Sequence, residues 1–364
     1  MELQSSLLLA FLANEGITPQ VMLEQAEARF APLWFPRFFR TADPTVSLEF
    51  QTILSAETLE AMAVVGSRES EVPLHSRQGI EKLKGEVPPI FVGRKFNAQE
   101  LRNLEILIAS NALGLPERLR QVMAREVDDY LYCRNSVLRR LDFMCKQAVS
   151  YGKVTISLDN NPNGVTFDVP LVGDNNKMNA NADWSNPDTD IVKDFEAIRM
   201  KGLELGVSFE IAMIAESLWF KILNNKSLQN LLKGYLNPGT NARYAFTLEN
   251  INNVLRANRF PTFEIISDLA YIEVDGKKQK TSQNGWSQTN VVFAPAGDLG
   301  IIHNALADEQ ITPHDGTIYL EADGVLLSRY RHRKPIAEVT EGVYNAFPGL
   351  EQAKRIVILN TLAA

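Results

Sequence analysis

The amino-acid sequence predicts an α+β fold, in which a layer of helices packs on an antiparallel sheet. Two regions with helical periodicity, residues 97–150 and 187–260, alternate with regions of short strands and turns. The chain shows no internal repeat. Its 364 residues are too many for one small core and favour one large domain or two interlocked domains.

The composition is that of a folded protein with a mildly acidic surface. Hydrophobic residues make up 45% and charged residues 22%, which disfavours global disorder. The net charge of -7 disfavours a sequence-reading DNA-binding protein, since such proteins usually carry a basic surplus. The apolar run from Leu7 to Leu12 is far shorter than the roughly 20 residues of a membrane span, so no membrane partner is expected.

Residues 1–44 are interpreted as an N-terminal arm. A short helix is predicted from Thr18-Pro19 to about Arg29. Residues 30–40 then place five aromatic side chains around two prolines, a density that usually docks against another surface. Packing on the chain's own core and packing on a neighbouring subunit are equally favoured. The candidate contact residues are Trp34, Phe35, Arg37, Phe38, Phe39 and Arg40.

Residues 45–96 are interpreted as an extended excursion. Residues 46–50 alternate apolar and polar as a half-buried strand does, and Pro88-Pro89 suits an edge strand. A two-stranded excursion with little to bury needs a partner for support. The candidate inter-subunit contacts here are Arg68, Glu69, Glu71, Arg94 and Lys95.

A long helix dominates residues 97–150. Asn97 and Glu100 form a capping-box pattern, and apolar residues from Pro116 to Cys145 recur on one helical face about 50 Å long. Cys133 and Cys145 lie roughly 18 Å apart on this helix, beyond disulfide reach, so both are expected to be free thiols. A hairpin with its turn at residues 160–164 is predicted to follow.

The rest of the chain combines helices with strands. Helices are predicted from Pro187 to about Gly202, at residues 209–220 and at residues 248–256. Strands are predicted at residues 263–267, 269–274, 290–294 and 355–359, with weaker candidates at 318–320 and 343–344.

Motifs for catalysis or metal binding are missing from the sequence. None of the four histidines (His75, His303, His314 and His332) has a second histidine or a cysteine at metal-ligand spacing. There is no nucleophile elbow or glycine-rich phosphate loop. No catalytic residue, metal or cofactor is therefore expected. Asp183 and Asp188 beside Trp184 leave a carbohydrate-active enzyme as a weak alternative, with a structural loop favoured.

A basic run lies at residues 329–334. On a strand, Arg329, Arg331 and Arg333 would share one face. Such a face could contact nucleic acid or pair with acids of a neighbouring subunit. The inter-subunit interpretation is favoured because the chain is acidic overall.

Taken in order, these segments resemble the major capsid protein E family, the lambda-type branch of tailed-phage coat proteins. No single motif is specific, but the ordered set spans nearly the whole chain. The markers are the aromatic and basic segment from Phe30 to Arg40, Leu48-Glu49-Phe50, Glu86-Val87-Pro88-Pro89 with Arg94-Lys95, Trp184-Ser185-Asn186-Pro187 with Asp190-Ile191, and the run from Tyr271 to Lys278 followed by Val291-Val292-Phe293 and Gly300.

The resemblance implies an HK97-like phage capsid fold. Its expected parts are an N-arm (1–44), an E-loop (45–96), a peripheral P-domain with a spine helix (97–186, returning at about 331–346) and an axial A-domain (187–330, with a C-terminal strand in 347–364).

The resemblance also implies a function and partners. The chain would self-assemble into hexamers and pentamers of an icosahedral head shell around double-stranded DNA, contacted without sequence specificity. Assembly would take place in the host cytoplasm. A portal and a decoration protein are further expected partners, and a separate scaffolding protein is expected because only about thirty residues precede the aromatic segment. A cellular nanocompartment shell of the same fold is the alternative.

Overall fold

The computed structural model describes residues 32–53, 82–109, 115–156, 167–236, 246–268, 271–274, 277–280 and 284–362. The helix expected at residues 18–29 and the candidate contacts Arg68, Glu69 and Glu71 lie outside these residues. In the described part of the chain, a six-stranded sheet, a five-stranded sheet and three two-stranded pairs form the β structure.

The strands are β1 (Phe39–Thr41), β2 (Glu49–Ile53), β3 (Lys82–Glu86), β4 (Pro89–Asn97), β5 (Lys153–Ile156), β6 (Phe167–Pro170), β7 (Lys177–Asn179), β8 (Ile211–Ala215), β9 (Thr262–Ile266), β10 (Tyr271–Val274), β11 (Lys277–Lys280), β12 (Asn290–Ala294), β13 (Gly300–Ala305), β14 (Ile318–Ala322), β15 (Val325–Arg333), β16 (Ile336–Gly349) and β17 (Val357–Asn360). The helices are α1 (Ala98–Ala109), α2 (Leu115–Ser150), α3 (Ile191–Leu205), α4 (Glu216–Ile222), α5 (Lys226–Leu236), α6 (Leu248–Ala257) and α7 (Asp308–Ile311).

The first sheet is organised around β16, a strand of 14 residues. It pairs antiparallel with β4, β13 and β15. β14 extends the sheet beside β15, and β1 adds to β13 in parallel. The helix α2 packs on β16, β4 and β15. Because β13, β14 and β15 belong to this sheet, the chain contributes strands to it from residue 300 onward. The domain boundary expected at residue 330 therefore falls within β15 of this sheet.

The helical layer confirms two predictions from the sequence. The Asn97 side chain accepts hydrogen bonds from the backbone N–H groups of Gln99 and Glu100 at 3.0 Å. The Glu100 carboxylate accepts the N–H of Asn97 at 2.9 Å, which completes the capping box at the start of α1. The helix expected from Pro116 is α2, whose 36 residues span about 54 Å.

Gly342 allows α2 to approach β16 closely. A Cβ added at this position would lie 3.1 Å from the Cβ of Cys133 and 3.3 Å from its carbonyl carbon and oxygen. The Cys133 thiol also donates to the carbonyl oxygen of Thr340 at 3.4 Å, so helix and strand are in direct contact. The close approach therefore depends on the missing side chain.

Gly342→Ala is expected to lower the free energy of unfolding by about 1–3 kcal/mol, because the new methyl group overpacks the helix–sheet contact. Chemical denaturation of the unassembled protein measures this change. Gly173→Ala is a suitable control, since a Cβ added at Gly173 would meet no heavy atom within 4 Å. Equal stability of the Gly342 variant and the wild type would show that the helix can move away at no cost.

The second sheet has the strand order β7-β17-β12-β8-β9. The pairs β7–β17 and β8–β9 are parallel, so this sheet is mixed, and the antiparallel sheet predicted from the sequence is wrong for these two pairs. Phe195 of α3 packs edge-on against Phe263 of β9 and Phe293 of β12, with ring centroids 5.5 Å apart in both pairs. This aromatic contact joins the helices to the sheet.

Two predicted helices are wrong in part. Residues 211–215 of the helix expected at 209–220 form β8, because this unbroken apolar run is a central strand buried between its neighbours. The helix expected from Pro187 begins only at Ile191. Before it, the Asn186 side chain accepts the N–H of Asp188 at 3.0 Å, which stabilises a turn in place of a first helical turn.

Candidate assembly surfaces

The aromatic arm packs on the core of its own chain. Trp34, Phe35, Phe38 and Phe39 are all less than 8% exposed. The Trp34 ring lies 4.9 Å from the Phe38 ring and 5.6 Å from the ring of Trp286. The structure therefore shows the own-core packing that the sequence left open. A contact between these four rings and a neighbouring subunit stays a prediction.

Three charged residues, here called the arm clamp, hold the arm in place: Asp142 and Lys146, which are buried, and Asp268, which is 31% exposed. One carboxylate oxygen of Asp142 accepts the backbone N–H groups of Trp34 at 3.0 Å and Phe35 at 2.8 Å. Its other oxygen accepts from Lys146 Nζ at 2.6 Å, and Lys146 also donates to Asp268, beyond β9. The clamp thus ties α2 to the arm and to the second sheet.

No pattern in the sequence identified the arm clamp. Asp142 and Lys146 stand four residues apart, a spacing that more often marks an exposed ion pair on a helix surface. In the structure their side chains are only 2% and 1% exposed. The signal that could have found them was a charged pair within the apolar stripe of the helix.

The two arginines of the arm pair with acids of the same chain. Arg37 lies 2.7 Å from Glu264 of β9, and Arg40 lies 2.8 Å from Glu351. Their side chains remain 62% and 53% exposed. Exposed pairs of this kind contribute little to folding, so both guanidinium groups can also contact another molecule.

The base of the excursion packs on the first sheet through Phe50 and Thr52 of β2. The Phe50 ring stacks 4.7 Å from the His303 ring and 5.3 Å from the Phe347 ring. Thr52 Oγ1 lies 2.6 Å from His303 Nε2. Burial in this contact lowers the pKa of His303 below its ordinary value of 6.5.

His303 is expected to make the protein less stable in acid. Below about pH 6.5 the unfolded chain takes up a proton that the folded chain still excludes, so stability falls until the pH reaches the lowered folded pKa. Above that window the full stability is present. His303→Gln is expected to flatten the dependence of the melting temperature on pH between about 7.5 and 5. An unchanged acid slope in the variant would contradict this role.

Arg94 anchors β4 to α2. Its guanidinium lies 2.9 Å from Asp128, 3.2 Å from Asp129 and 3.7 Å from the centre of the Tyr132 ring. Burial raises the pKa of Asp129. Lys95, the next residue, is exposed on the opposite side of the strand. Of this pair, Lys95 is therefore the more accessible for an inter-subunit contact.

The basic run divides into a buried and an exposed part. Arg329 is 1% exposed and lies 2.9 Å from the Glu338 carboxylate on β16. Arg331 reaches the same carboxylate at 3.1 Å, as expected for side chains that share one face of a strand. Arg331 and Arg333 are exposed near the end of β15, where they could meet a neighbour.

The loop considered for sugar binding has a structural role in the folded chain. Trp184 is fully buried and donates from Nε1 to Asp194 at 2.7 Å, so its ring is not available as a binding platform. The N–H of Ser185 donates to Asp183 at 2.7 Å and lowers the pKa of that carboxyl group. Asp188 pairs with Lys226 at 2.5 Å. These contacts favour the loop interpretation.

The described residues contain no group of three or more histidine, cysteine or acidic side chains that could hold a metal ion. Cys133 and Cys145 are buried free thiols, as predicted. Burial raises the pKa of Cys133 to about 12. In the same part of the chain, no helix is long and apolar enough to cross a membrane.

The fold is that of solved phage proteins. A protein assigned as the capsid protein of an Escherichia coli CFT073 prophage superposes with a TM-score of 0.54 at 13% identity, covering 94% of this chain and 97% of its own. A phage-related protein from Bordetella bronchiseptica RB50 gives 0.52 at 12% identity, covering 95% and 97%. The architecture is therefore that of an HK97-like phage capsid protein.

The family follows from the sequence itself. The family model described as phage major capsid protein E matches residues 29–319. The chain belongs to this family, and it is a shell-forming capsid protein of a virion. No curated protein matches the chain significantly.

Proposed function

We propose that this chain is the main building block of an icosahedral phage head, which forms from hexamers and pentamers and encloses double-stranded DNA. The observation that carries the proposal is the family match over residues 29–319, supported by the HK97-like architecture. The subunit would act without a catalytic step. Assembly in the host cytoplasm would precede its incorporation into the virion.

The geometry supports a division of labour within the subunit. We propose the N-arm at 1–44, the E-loop at 45–96, the P-domain around α2, and the A-domain around the second sheet. Strand pairing favours ending the A-domain near residue 299, since β13 and β15 pair with β16 of the first sheet and β14 pairs with β15. The C-terminal strand β17 pairs with β12 and so supports its place in the A-domain.

The proposed inter-subunit contacts fall on exposed cations. Exposure and position favour Arg37 and Arg40 of the arm, Lys95 of β4, and Arg331 and Arg333 of β15. The buried members of the predicted set, which pack within the chain, would act by shaping the surface that carries these cations. These buried members are Trp34, Phe35, Phe38, Phe39 and Arg329.

Further partners belong to the same proposal. A separate scaffolding protein would guide closure of the shell, a portal would admit the DNA, and a decoration protein could bind the outer surface. Closed shells need uniform subunit contacts, which the symmetry of rings provides.

The contents of purified shells separate this function from the nanocompartment alternative. Shells from phage-producing cells are treated with nuclease, then opened. Protected double-stranded DNA of uniform length is the expected result. Shells that hold a cargo enzyme and no DNA would contradict the proposal and favour a nanocompartment.

A further inference from the structure

The arm clamp places a nucleophilic group, the amine of Lys146, between two carboxylates. The Lys146 side chain is 1% exposed. Its Nζ lies 2.6 Å from Oδ2 of Asp142 and also contacts Oδ2 of Asp268. An amine and a carboxyl group condense to an amide, and groups held in contact react as if at a very high effective concentration. The clamp therefore holds both reactants of a covalent bond together with a second acid.

The two carboxylates of the clamp have different surroundings. One oxygen of Asp142 accepts the backbone N–H groups of Trp34 and Phe35, which fixes its orientation, and the other oxygen faces the amine. Asp268 Oδ2 also lies 3.7 Å from Nη1 of Arg139. A cation at this place stabilises the negative charge that develops when a carboxyl carbon is attacked. Asp142 is thus placed to accept a proton, and Asp268 is placed to be the electrophile.

Water is largely excluded on one side of the cluster and admitted on the other. Asp142, Cys145 and the two arm residues that bond to Asp142 are all less than 8% exposed. A buried charge pair carries a cost of desolvation, which conversion to a neutral amide removes. An amide formed there is also shielded from hydrolysis. Asp268 is 31% exposed, so a water molecule released at its carboxyl group has a path to solvent.

We propose that Lys146 and Asp268 join in an isopeptide bond within one chain, with Asp142 as the general base. Asp142 takes up a proton from the Lys146 ammonium group, and the neutral amine attacks Cγ of Asp268. The N–C bond forms and a C–O bond of Asp268 breaks. The departing oxygen leaves as water with the two protons that the ammonium group has lost. Asp142 passes on its proton and ends ionised as it began, so no other reactant is consumed.

The bond would tie α2 to the end of β9 in the second sheet. Asp268 lies two residues beyond β9, and it is 122 positions from Lys146 in the sequence. A covalent bond over this separation closes a long loop and reduces the conformational freedom of the unfolded chain. The helix and the second sheet would then stay joined even in a denatured subunit. This inference concerns contacts within one chain and does not depend on the shell function.

Mass spectrometry of the full-length wild type, first incubated in the folded state and then denatured, tests the bond. The expected mass is that of the sequence less one water molecule. A protease digest is expected to yield one cross-linked pair of peptides that contains Lys146 and Asp268. The full sequence mass after prolonged incubation would overturn the proposal. A loss of water located at another residue, with Lys146 and Asp268 in separate peptides, would overturn it as well.

Two variants test the reacting groups. Lys146→Arg keeps a cation but removes the amine, so the full sequence mass is expected, with slower migration than wild type in a denaturing gel because the loop is open. Asp268→Asn is expected to lose ammonia in place of water, since the leaving group is then the amide nitrogen. Persistent loss of water in Lys146→Arg would contradict the proposal. The wild-type peptide map needs no variant, so it decides the matter even where a variant fails to fold.

The rate of bond formation tests the general base. Asp142→Asn is expected to slow the loss of water by about a hundredfold or more, because the variant side chain accepts no proton from the amine. Asp128→Ala is the matched control on the same helix. Its side chain is 73% exposed and pairs with Arg94, so the bond should form at the wild-type rate. Bond formation at the wild-type rate in Asp142→Asn would refute the role of Asp142.

Discussion

Replacing Asp142 with alanine is expected to lower the free energy of unfolding by about 3–5 kcal/mol, the largest effect at the arm. The substitution leaves two backbone N–H groups, those of Trp34 and Phe35, without their carboxylate acceptor in a buried site. It also removes one of the two acids bound to Lys146, whose side chain is 1% exposed. Denaturation of the unassembled variant measures the loss.

Asp128→Ala is the matched control for this prediction. Asp128 also pairs with a cation at the surface of α2, but its side chain is 73% exposed, so its loss should cost less than about 1 kcal/mol. Proteolysis near residues 34–41 is expected to become faster in the Asp142 variant only. Similar stability of the two variants would mean that the arm clamp does not hold the arm.

Glu338→Ala is expected to cost about 3–5 kcal/mol, because it leaves the Arg329 guanidinium buried without its carboxylate. Both side chains of this pair are 0% exposed, and Nη2 of Arg329 lies 2.9 Å from Glu338. The midpoint of unfolding should fall to a lower denaturant concentration, while the slope of the unfolding free energy against denaturant concentration should stay unchanged.

Two further variants test whether the unpaired buried charge causes this loss of stability. Arg331→Ala removes the more exposed partner of the same carboxylate and should cost less than about 1 kcal/mol. Arg329→Met combined with Glu338→Leu should recover most of the stability, since both charges of the fully buried pair are then removed and only the partly exposed Arg331 loses a partner. A double variant as unstable as Glu338→Ala would instead point to a packing requirement of these positions.

The sequence predicted best the elements whose signals are local. The capping box at Asn97 and Glu100 and the apolar stripe of α2 depend on residues three or four apart. The structure confirms the capping box and, where the side chains of α2 are described, the burial of the stripe at Tyr130, Leu131, Leu138, Leu141 and Cys145. The helix expected at 248–256 is α6, with bounds Leu248–Ala257. The strand expected at 290–294 is β12. Strong local patterns leave few competing structures.

The sequence predicted less well the elements that depend on distant partners. The run at 211–215 has no periodicity that distinguishes a buried strand from a buried helix, and only its neighbours β9 and β12 decide the matter. The extent of β16 was missed because its charged residues, such as Glu338, are stabilised by partners on other strands.

The candidate contact residues show the same limit. The aromatic density of residues 30–40 correctly indicated docking, but not whether the docking surface belonged to the same chain. The basic run at 329–334 indicated a charged surface, yet Arg329 is buried and paired with Glu338, an acid nine residues away. Burial of a charge depends on tertiary contacts that composition does not reveal.

Electron microscopy of the purified protein, produced alone or together with the proposed scaffolding protein, tests the shell function most directly. Closed particles of uniform diameter, whose reconstruction shows icosahedral symmetry with hexamers and pentamers of this fold, are the result we expect. Monomers or small fixed oligomers under all assembly conditions would contradict the assignment of this chain as a shell subunit.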